Sequence, residues 1–417
     1  MPVDYNPFLP EVIADPFPVF RELREHDPVH WSDHLGAWVL TRYDDVVFAL
    51  KDARLSANRI GGFMERLPPE RKAEVAALGE SLKHWIVFSD PPVHTRLRTL
   101  LNKAFTPRVV EGMRPWIEET VEDLLDAVAP RGHMDVIREL AYPLPAAAIA
   151  RMIGVPRADV ERFKHWSDEL AAFVGSALNT PNKRERGERA IREMNAYLGA
   201  LATERRAAPR DDIMSALVAV EERGDTLSHE EVLGSCILLL FAGHETTTNL
   251  IGNGLLALLR HPDQLRRLRD EPALLRPAIE ELLRYDGPVS AMARVALEDV
   301  SLGGKTIHRG DRVFNMLNAA NRDPRQFADP EGLDIARGEN HHVTFGFGMH
   351  YCLGAPLARA EAQITFAALL RRLPEINLQS ANLEWSDSLS LRGLRSLEVS
   401  FEVAAATRPA AAATPAG

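Results

Sequence analysis

Cys352 lies in the stretch FGFGMHYCLGAPLARAEA, residues 345 to 362, between a glycine-punctuated segment and an Ala-rich apolar run. A thiol so placed can be a nucleophile, a metal ligand or simply a small buried apolar residue, the commoner fate of a free cysteine. Gly346, Gly348 and Gly354 let the backbone come close to something large and flat. The residues from Leu353 onward read as a helix, which puts Cys352 at an N-terminal end where free N–H groups and the dipole favour a thiolate. No nucleophile signature surrounds it, and zinc would require further cysteines at short spacing. A c-type haem would need a second cysteine and a histidine directly after Cys352, and both are missing. What is left is one thiolate bound axially to one metal with a flat partner, which describes haem-thiolate ligation.

A second stretch, FAGHETTTNL (241–250), falls inside an unusually long helical pattern opened by a capping box of Ser228 with Glu231. Glu245 and Thr246 interrupt a run that is apolar from Leu238 to Phe241. They are either a solvated helix face or a buried polar pair, and a buried carboxylate is costly unless it has work or partners. The Thr246 hydroxyl can turn back to the Ala242 carbonyl and, with Gly243 beside it, loosen the helix enough to admit a small ligand. In EELLRY, Glu281 and Arg284 share a helix face at three-residue spacing, a pattern many surface helices carry. In SDPPVHTRLR, His94 and Arg98 stand one turn apart.

Phe345, Gly348, Cys352 and Gly354 match the cysteine signature of the cytochrome P-450 family, and the whole chain from about residue 5 to 403 resembles its bacterial soluble branch. The resemblance implies a mainly α fold with small β-sheets, the cytochrome P-450 fold, in a single domain over 1–405. It implies haem b held non-covalently, with Cys352 as the axial ligand of the haem iron. It also implies that Glu245 and Thr246 are catalytic, with dioxygen taken up on the face opposite Cys352. His94, Arg98, Arg294 in MARVAL and His350 resemble the family's contacts to the haem propionates, for which arginine geometry is well suited. Glu281 and Arg284 resemble the family's buried structural pair. Its frequent third member, an arginine, has Gly332 in its place in DPEGLDIAR, so no third member is assigned.

The elements that must position these groups follow from spacing. Residues 1–20 are proline-rich and expected to be extended. Strand-compatible pieces occur at PVHWSD, AWVLTR and 292–314, with turns at Gly303-Gly304 and Arg309-Gly310. From about residue 92 the pattern is helical, with further helices expected at 157–178, 183–206, 228–260, 262–270 and 272–285. The tail, 406–417, is of low complexity and expected to be disordered.

Apolar residues make up 46% of the 417 and charged ones 26%, values ordinary for a globular protein with a large core. A net charge of −10 disfavours nucleic acid as a partner. The opening MPVDYNPFLP lacks the basic flank and apolar core of a signal peptide, and the apolar run around CILLLFAG is too short to span a bilayer. Two cysteines, Cys236 and Cys352, cannot build a disulfide framework. The expectation is a cytoplasmic monomer without a membrane span. Cys236, among apolar neighbours, is expected to be an unreactive buried thiol.

The leading functional expectation is a haem-thiolate monooxygenase that inserts one oxygen atom from O2 into a lipophilic small molecule. With no flavin or iron–sulfur domain in the chain, electrons would come from a separate ferredoxin with its NAD(P)H-dependent reductase. Arg96, Lys103, Arg108 and Arg359 could form its basic docking patch, or be scattered solvated charges. A peroxygenase and a haem-based sensor are the alternatives; the acid–threonine pair argues against the first, and the second would not need Thr246. By family position the substrate pocket would draw on Phe63, Met64, Trp85, Ile86, Val87, Leu239, Ala242, Val289, Ala291, Met292 and Leu389.

Overall fold

The computed structural model describes residues 3–174, 181–222, 227–379 and 382–403. The long helix is one rod, His229–Arg260, of 32 residues, about 48 Å at 1.5 Å per residue. At its start Ser228 Oγ accepts from the Glu231 N–H (3.2 Å) and Glu231 Oε2 accepts from the Ser228 N–H (3.0 Å), which closes the expected capping box. Residues 232–238 and 247–258 are buried. Helices Pro143–Ile153, Val160–Val174, Lys183–Ala207, Ile213–Glu222, Leu275–Tyr285 and Ala355–Arg372 pack around the rod. A Cβ on Gly243 would come within 3.2 Å of Ile149 Cγ1, so a glycine there lets Pro143–Ile153 lie close. Ile213–Glu222 is missing from the spacing-based set because IMSALVAVEE is apolar on most sides, and a helical period shows only against a polar face.

Three small sheets complete the single domain. The largest runs β1 (Val29–Ser32), β2 (Ala37–Leu40), β8 (Arg312–Met316), β5 (Ala291–Ala296), β3 (Leu55–Ser56), in that spatial order. A second joins β4 (His133–Asp135), β10 (Glu398–Glu402) and β9 (Glu375–Leu378), and a third pairs β6 (Val300–Leu302) with β7 (Lys305–Ile307). The β1–β2 hairpin sets Trp31 opposite Trp38, their rings 5.4 Å apart. Gly303 and Gly304 have φ of +58° and +75°, the backbone a two-residue hairpin turn requires, and they join β6 to β7 as expected. The turn at Gly310 is not a hairpin: β7 pairs with β6 while β8 pairs with β2 and β5.

The amino-terminal expectation fails. Pro10–Ala14 and Phe17–His26 are helices, each with proline in its first two positions. Proline lacks an N–H that the first turn does not use, so it starts a helix as readily as it forbids one farther in. Phe17, Phe20 and Leu23, at three-residue spacing, are buried as a result.

Behind the cysteine region Glu281 and Arg284 are fully buried and paired through two bonds of 2.7 and 2.8 Å. The third member is present after all. Arg337 Nε donates to Glu281 Oε2 at 3.0 Å, and Asn340 Nδ2 donates to the same oxygen at 3.1 Å. Gly332 serves through its backbone, its carbonyl accepting from Arg284 Nη2 at 2.8 Å. The chain supplies the arginine from a place five residues further on. Among the described residues no helix is long and apolar enough to cross a membrane. The Phe63 side chain and residues 406–417 lie outside the described residues.

Candidate active site

The cysteine segment is a tight loop. The Cys352 N–H donates to the Phe345 carbonyl at 2.8 Å, closing a turn through Gly346 and Gly348 at φ of +73° and +69°. Those two glycines are needed for a left-handed backbone. The helix that follows begins at Ala355 with Gly354 as its N-cap, slightly later than the sequence suggests. Two arginines clamp the loop from outside. Arg98 Nη1 donates to the Tyr351 carbonyl at 2.7 Å, and Arg359 lies 4.4 Å over the Phe345 ring while bonding both oxygens of Glu280. Burial would raise the Glu280 carboxyl, but the bonds from Arg359 and His342 hold it down to about 2. At Cys352 burial pushes the thiol pKa up, against the pull of the Gly354 and Ala355 N–H groups and of Arg98 and Arg359.

Beside the loop is a knot of basic side chains. His94 and His350 hold their rings 4.2 Å apart. Burial, then the Arg294 charge, pushes His350 down to about 3, and burial followed by Arg98 lowers His94. Arg294 is buried and its pKa falls to about 10 through that burial. A residue that sequence reasoning missed joins them: Arg59, also brought down to about 10 by burial and then by Arg294, stacks 4.7 Å over Phe88. Its signal in SANRIGGF is only one cation at a helix start. Asp90, the carboxylate acting on this knot, already accepts from Ser56 Oγ and the Ala57 N–H. His94 Nε2 and Arg294 Nη2 are buried without a hydrogen-bond partner. Orphaned donors of this kind, next to a cysteine loop, fit a ligand bearing two carboxylates such as haem b.

The long helix supplies the opposite wall. Between its buried ends, Leu239, Phe241, Ala242, Glu245 and Thr246 are accessible in the middle of the molecule, where a solvated outer face is not available. Thr246 Oγ1 donates to the Ala242 carbonyl at 2.9 Å as expected, yet the helix stays unbroken there. Glu245 Oε2 is buried without a partner, and burial, aided by the Asp168 charge, pushes its carboxyl up to about 7. The cysteine helix carries Glu361, which is buried with neither carboxylate oxygen hydrogen-bonded, while the Thr247 hydroxyl donates to the Gly243 carbonyl at 3.4 Å.

The residues expected of the pocket wall differ in burial. Leu239 and Ala242 are accessible and Met64, Val289 and Met292 are half-buried, whereas Trp85, Ile86, Ala291 and Leu389 are buried. Trp85 stacks parallel to Phe88 at 5.9 Å and tilts against Phe241 at 5.3 Å, which makes it a support for the wall. Val87 is exposed. The expected docking patch also divides. Arg96 is paired with Glu231 and Arg359 with Glu280, while Lys103 and Arg108 are exposed. Cys236 is buried and its thiol is pushed up to about 12 by desolvation, as an inert core cysteine should be.

Comparison with known proteins matches residues 37–379 to the family described as cytochrome P450. The chain is 42% identical over 405 residues to cytochrome P450 CYP107DY1 of Priestia megaterium, covering 94% of this chain and 97% of that one. It is 40% identical over 409 residues to the polyketide biosynthesis cytochrome P450 PksS of Bacillus subtilis, covering 95% and 98%. Among solved structures it matches P450BioI in complex with a hexadec-9Z-enoic acid ligated acyl carrier protein. The TM-score is 0.87 at 39% identity, covering 94% of this chain and 99% of that one.

Proposed function

The chain belongs to the cytochrome P-450 family of haem-thiolate monooxygenases, whose cofactor is haem b, and we propose that it inserts one atom of dioxygen into a lipophilic small molecule. The observation that carries this reading is the Glu245–Thr246 pair on the accessible stripe of an otherwise buried helix. Cys352 would hold the haem iron through its sulfur. The propionates would be held by His94, Arg98, Arg294 and His350, with Arg59 beside them. Bound there, haem b supplies an iron centre at which dioxygen is reduced and cleaved, a step that thiolate ligation favours.

The residues of the chain handle protons and water. Thr246 Oγ1, which rests on the Ala242 carbonyl, can rotate to hold a water by its hydrogen bond. Glu245, with a pKa near 7 and a free Oε2, can both give up and regain a proton at neutral pH, the condition under which a general acid works best. Leu239, Ala242 and the aromatic support of Trp85 and Phe241 keep the space apolar, which suits a lipophilic substrate and excludes stray water. Electrons would arrive from a separate ferredoxin with its NAD(P)H-dependent reductase, docked at Lys103 and Arg108. The setting is cytoplasmic in this reading.

The test is the coupling of electrons to product with a surrogate ferredoxin system. Thr246→Ala should keep substrate binding and electron uptake, release more peroxide per NAD(P)H and form less product. Glu245→Gln should slow turnover and raise the solvent isotope effect. Wild-type coupling in Thr246→Ala would remove the threonine from the mechanism. The substrate itself is sought by screening compounds for the haem spin-state shift on binding.

A further inference from the structure

The charges of two arginines, Arg98 and Arg359, act on Cys352. Among the described residues Arg98 makes no ion pair, its Nη1 donating to the Tyr351 carbonyl at 2.7 Å. Arg359 is matched. Its Nε and Nη2 donate to the two oxygens of Glu280 at 2.7 and 2.8 Å, a bidentate pair whose side chains are only 27% and 24% exposed. Glu280 stands on the helix Leu275–Tyr285, one residue before the buried Glu281. Its carboxyl, held down to about 2 by Arg359 and His342 against its burial, is ionised at neutral pH.

Both members of the pair are tied to the cysteine loop. Arg359 lies 4.4 Å over the Phe345 ring, and its Nη1 donates to the Tyr351 hydroxyl at 3.3 Å. The Phe345 carbonyl is the one that accepts the Cys352 N–H at 2.8 Å, and Tyr351 directly precedes the cysteine. On the carboxylate side, His342 Nδ1 accepts from the Thr344 N–H at 3.3 Å, which leaves Nε2 to donate to Glu280 Oε2 at 3.1 Å. The His342 and Phe345 ring centres are 5.8 Å apart. A continuous set of contacts therefore runs from Glu280 through Arg359 to the residues on either side of the loop.

A pair so placed has two effects. The stack on Phe345 fixes where the loop sits, and the carboxylate offsets the positive charge that the guanidinium would otherwise present to the sulfur. The groups around a metal's ligand, their charge included, tune its basicity and the potential of the metal. A positive field at the sulfur favours ferrous iron, which carries one more electron, and a negative field favours ferric iron.

We propose that Glu280 is a positioning residue that sets the reduction potential of the haem iron, by holding Arg359 against the cysteine loop and cancelling its charge. This inference rests on the reading of Cys352 as the sulfur donor to the iron.

The experiment is a spectroelectrochemical titration of the holoenzyme at pH 7 and fixed salt. Glu280→Gln leaves Arg359 uncompensated and should favour the ferrous state by up to about tenfold, or about 59 mV for one electron. Arg359→Gln leaves Glu280 uncompensated and should shift the equilibrium by a similar factor in the opposite direction. The double variant Glu280→Gln with Arg359→Gln should return close to wild type. So should Arg359→Lys, which keeps the charge and gives up the fork. The red-shifted ferrous–CO band should persist in all four, and its loss would mean that the pair holds the ligand in place and does not tune it. Single-variant shifts of the same sign, or a shift in Arg359→Lys as large as in Arg359→Gln, would show that the pair acts through loop shape and would overturn the proposal. Wild-type potentials in both single variants would overturn it too. If Cys352→Ser keeps the red-shifted band, the reading of the sulfur has failed and this inference falls with it.

Discussion

His94 and His350 hold their rings 4.2 Å apart at an interplanar angle of 57°, and burial, aided by the charges of Arg98 and Arg294, lowers the pKa of both. These two, with Arg59, Arg98 and Arg294, all have pKa values depressed with burial as the first cause, and His94 and Arg294 each hold a buried nitrogen without a hydrogen-bond partner, so the cluster is suited to an anion. A hydrogen bond to a charged group contributes roughly 1.5–3 kcal/mol, or about 10- to 100-fold in affinity. Arg294→Leu and Arg59→Leu should each speed haem loss to apomyoglobin by an amount in that range. An unchanged rate in Arg59→Leu means that Arg59 only stacks on Phe88.

Cys352→Ser should remove the sulfur donor and leave the loop, because the turn is closed by the Cys352 N–H and by two glycines, not by the thiol. The ferrous–CO complex should lose its red-shifted thiolate band and oxygenation should stop. Cys236→Ala should retain both, since that thiol is inert core packing. A persistent band in Cys352→Ser would overturn the ligand assignment.

Glu361 should leave a mark on stability against pH. Both of its oxygens are buried without a hydrogen-bond partner, and burial pushes the carboxyl up from 4.5 to about 8. The unfolded chain gives up this proton above its ordinary pKa, while the folded chain keeps it until about 8. Stability from this group is therefore present at low pH and falls as pH rises from about 4.5 to 8, by up to about 1.4 kcal/mol per unit. Glu245 adds in the same direction up to about 7. Urea denaturation of the holoenzyme at pH 5, 6.5 and 8 should show a shallower decline in Glu361→Gln than in wild type. Equal slopes would mean the carboxyl ionises normally in the fold.

For the redox partner, reversing Arg96 or Arg359 would break the pairs to Glu231 and Glu280 and confuse docking with folding. Lys103 and Arg108 are exposed and give the cleaner probe. Lys103→Glu with Arg108→Glu should slow association with a ferredoxin several-fold at low salt, and the difference should shrink as exposed charges become screened beyond about 8–10 Å. Stopped-flow reduction rates that are indifferent to both substitutions and salt would place the docking surface elsewhere.

Much of the site was legible because its signals are local. The cysteine turn needs glycines at φ positive positions within seven residues, the capping box spans four, and the threonine bonds back four residues to Ala242. The network around Glu281 was not, since Arg337 and Asn340 lie 56 and 59 residues away and only folding makes them neighbours. Arg59 was missed for the same reason: its meaning comes from Arg294, on a strand far along the chain. For the docking patch, a sequence shows which residues are cationic but not which carboxylates already hold them, as Glu231 holds Arg96 and Glu280 holds Arg359.

The sequence alone determined the chemistry on offer: a lone cysteine at a glycine turn before a helix, an acid–threonine pair inside a long apolar one, and cations enough for two carboxylates. Those depend on residue type and on spacings shorter than a few helical turns, which backbone geometry fixes without help. The tertiary structure decided which of these groups are dry. Burial pushes Glu245 to about 7 and Glu361 to about 8, and lowers Arg59 and Arg294 to about 10. Desolvation is a sum over every neighbour in space, and most of those neighbours are distant in the chain.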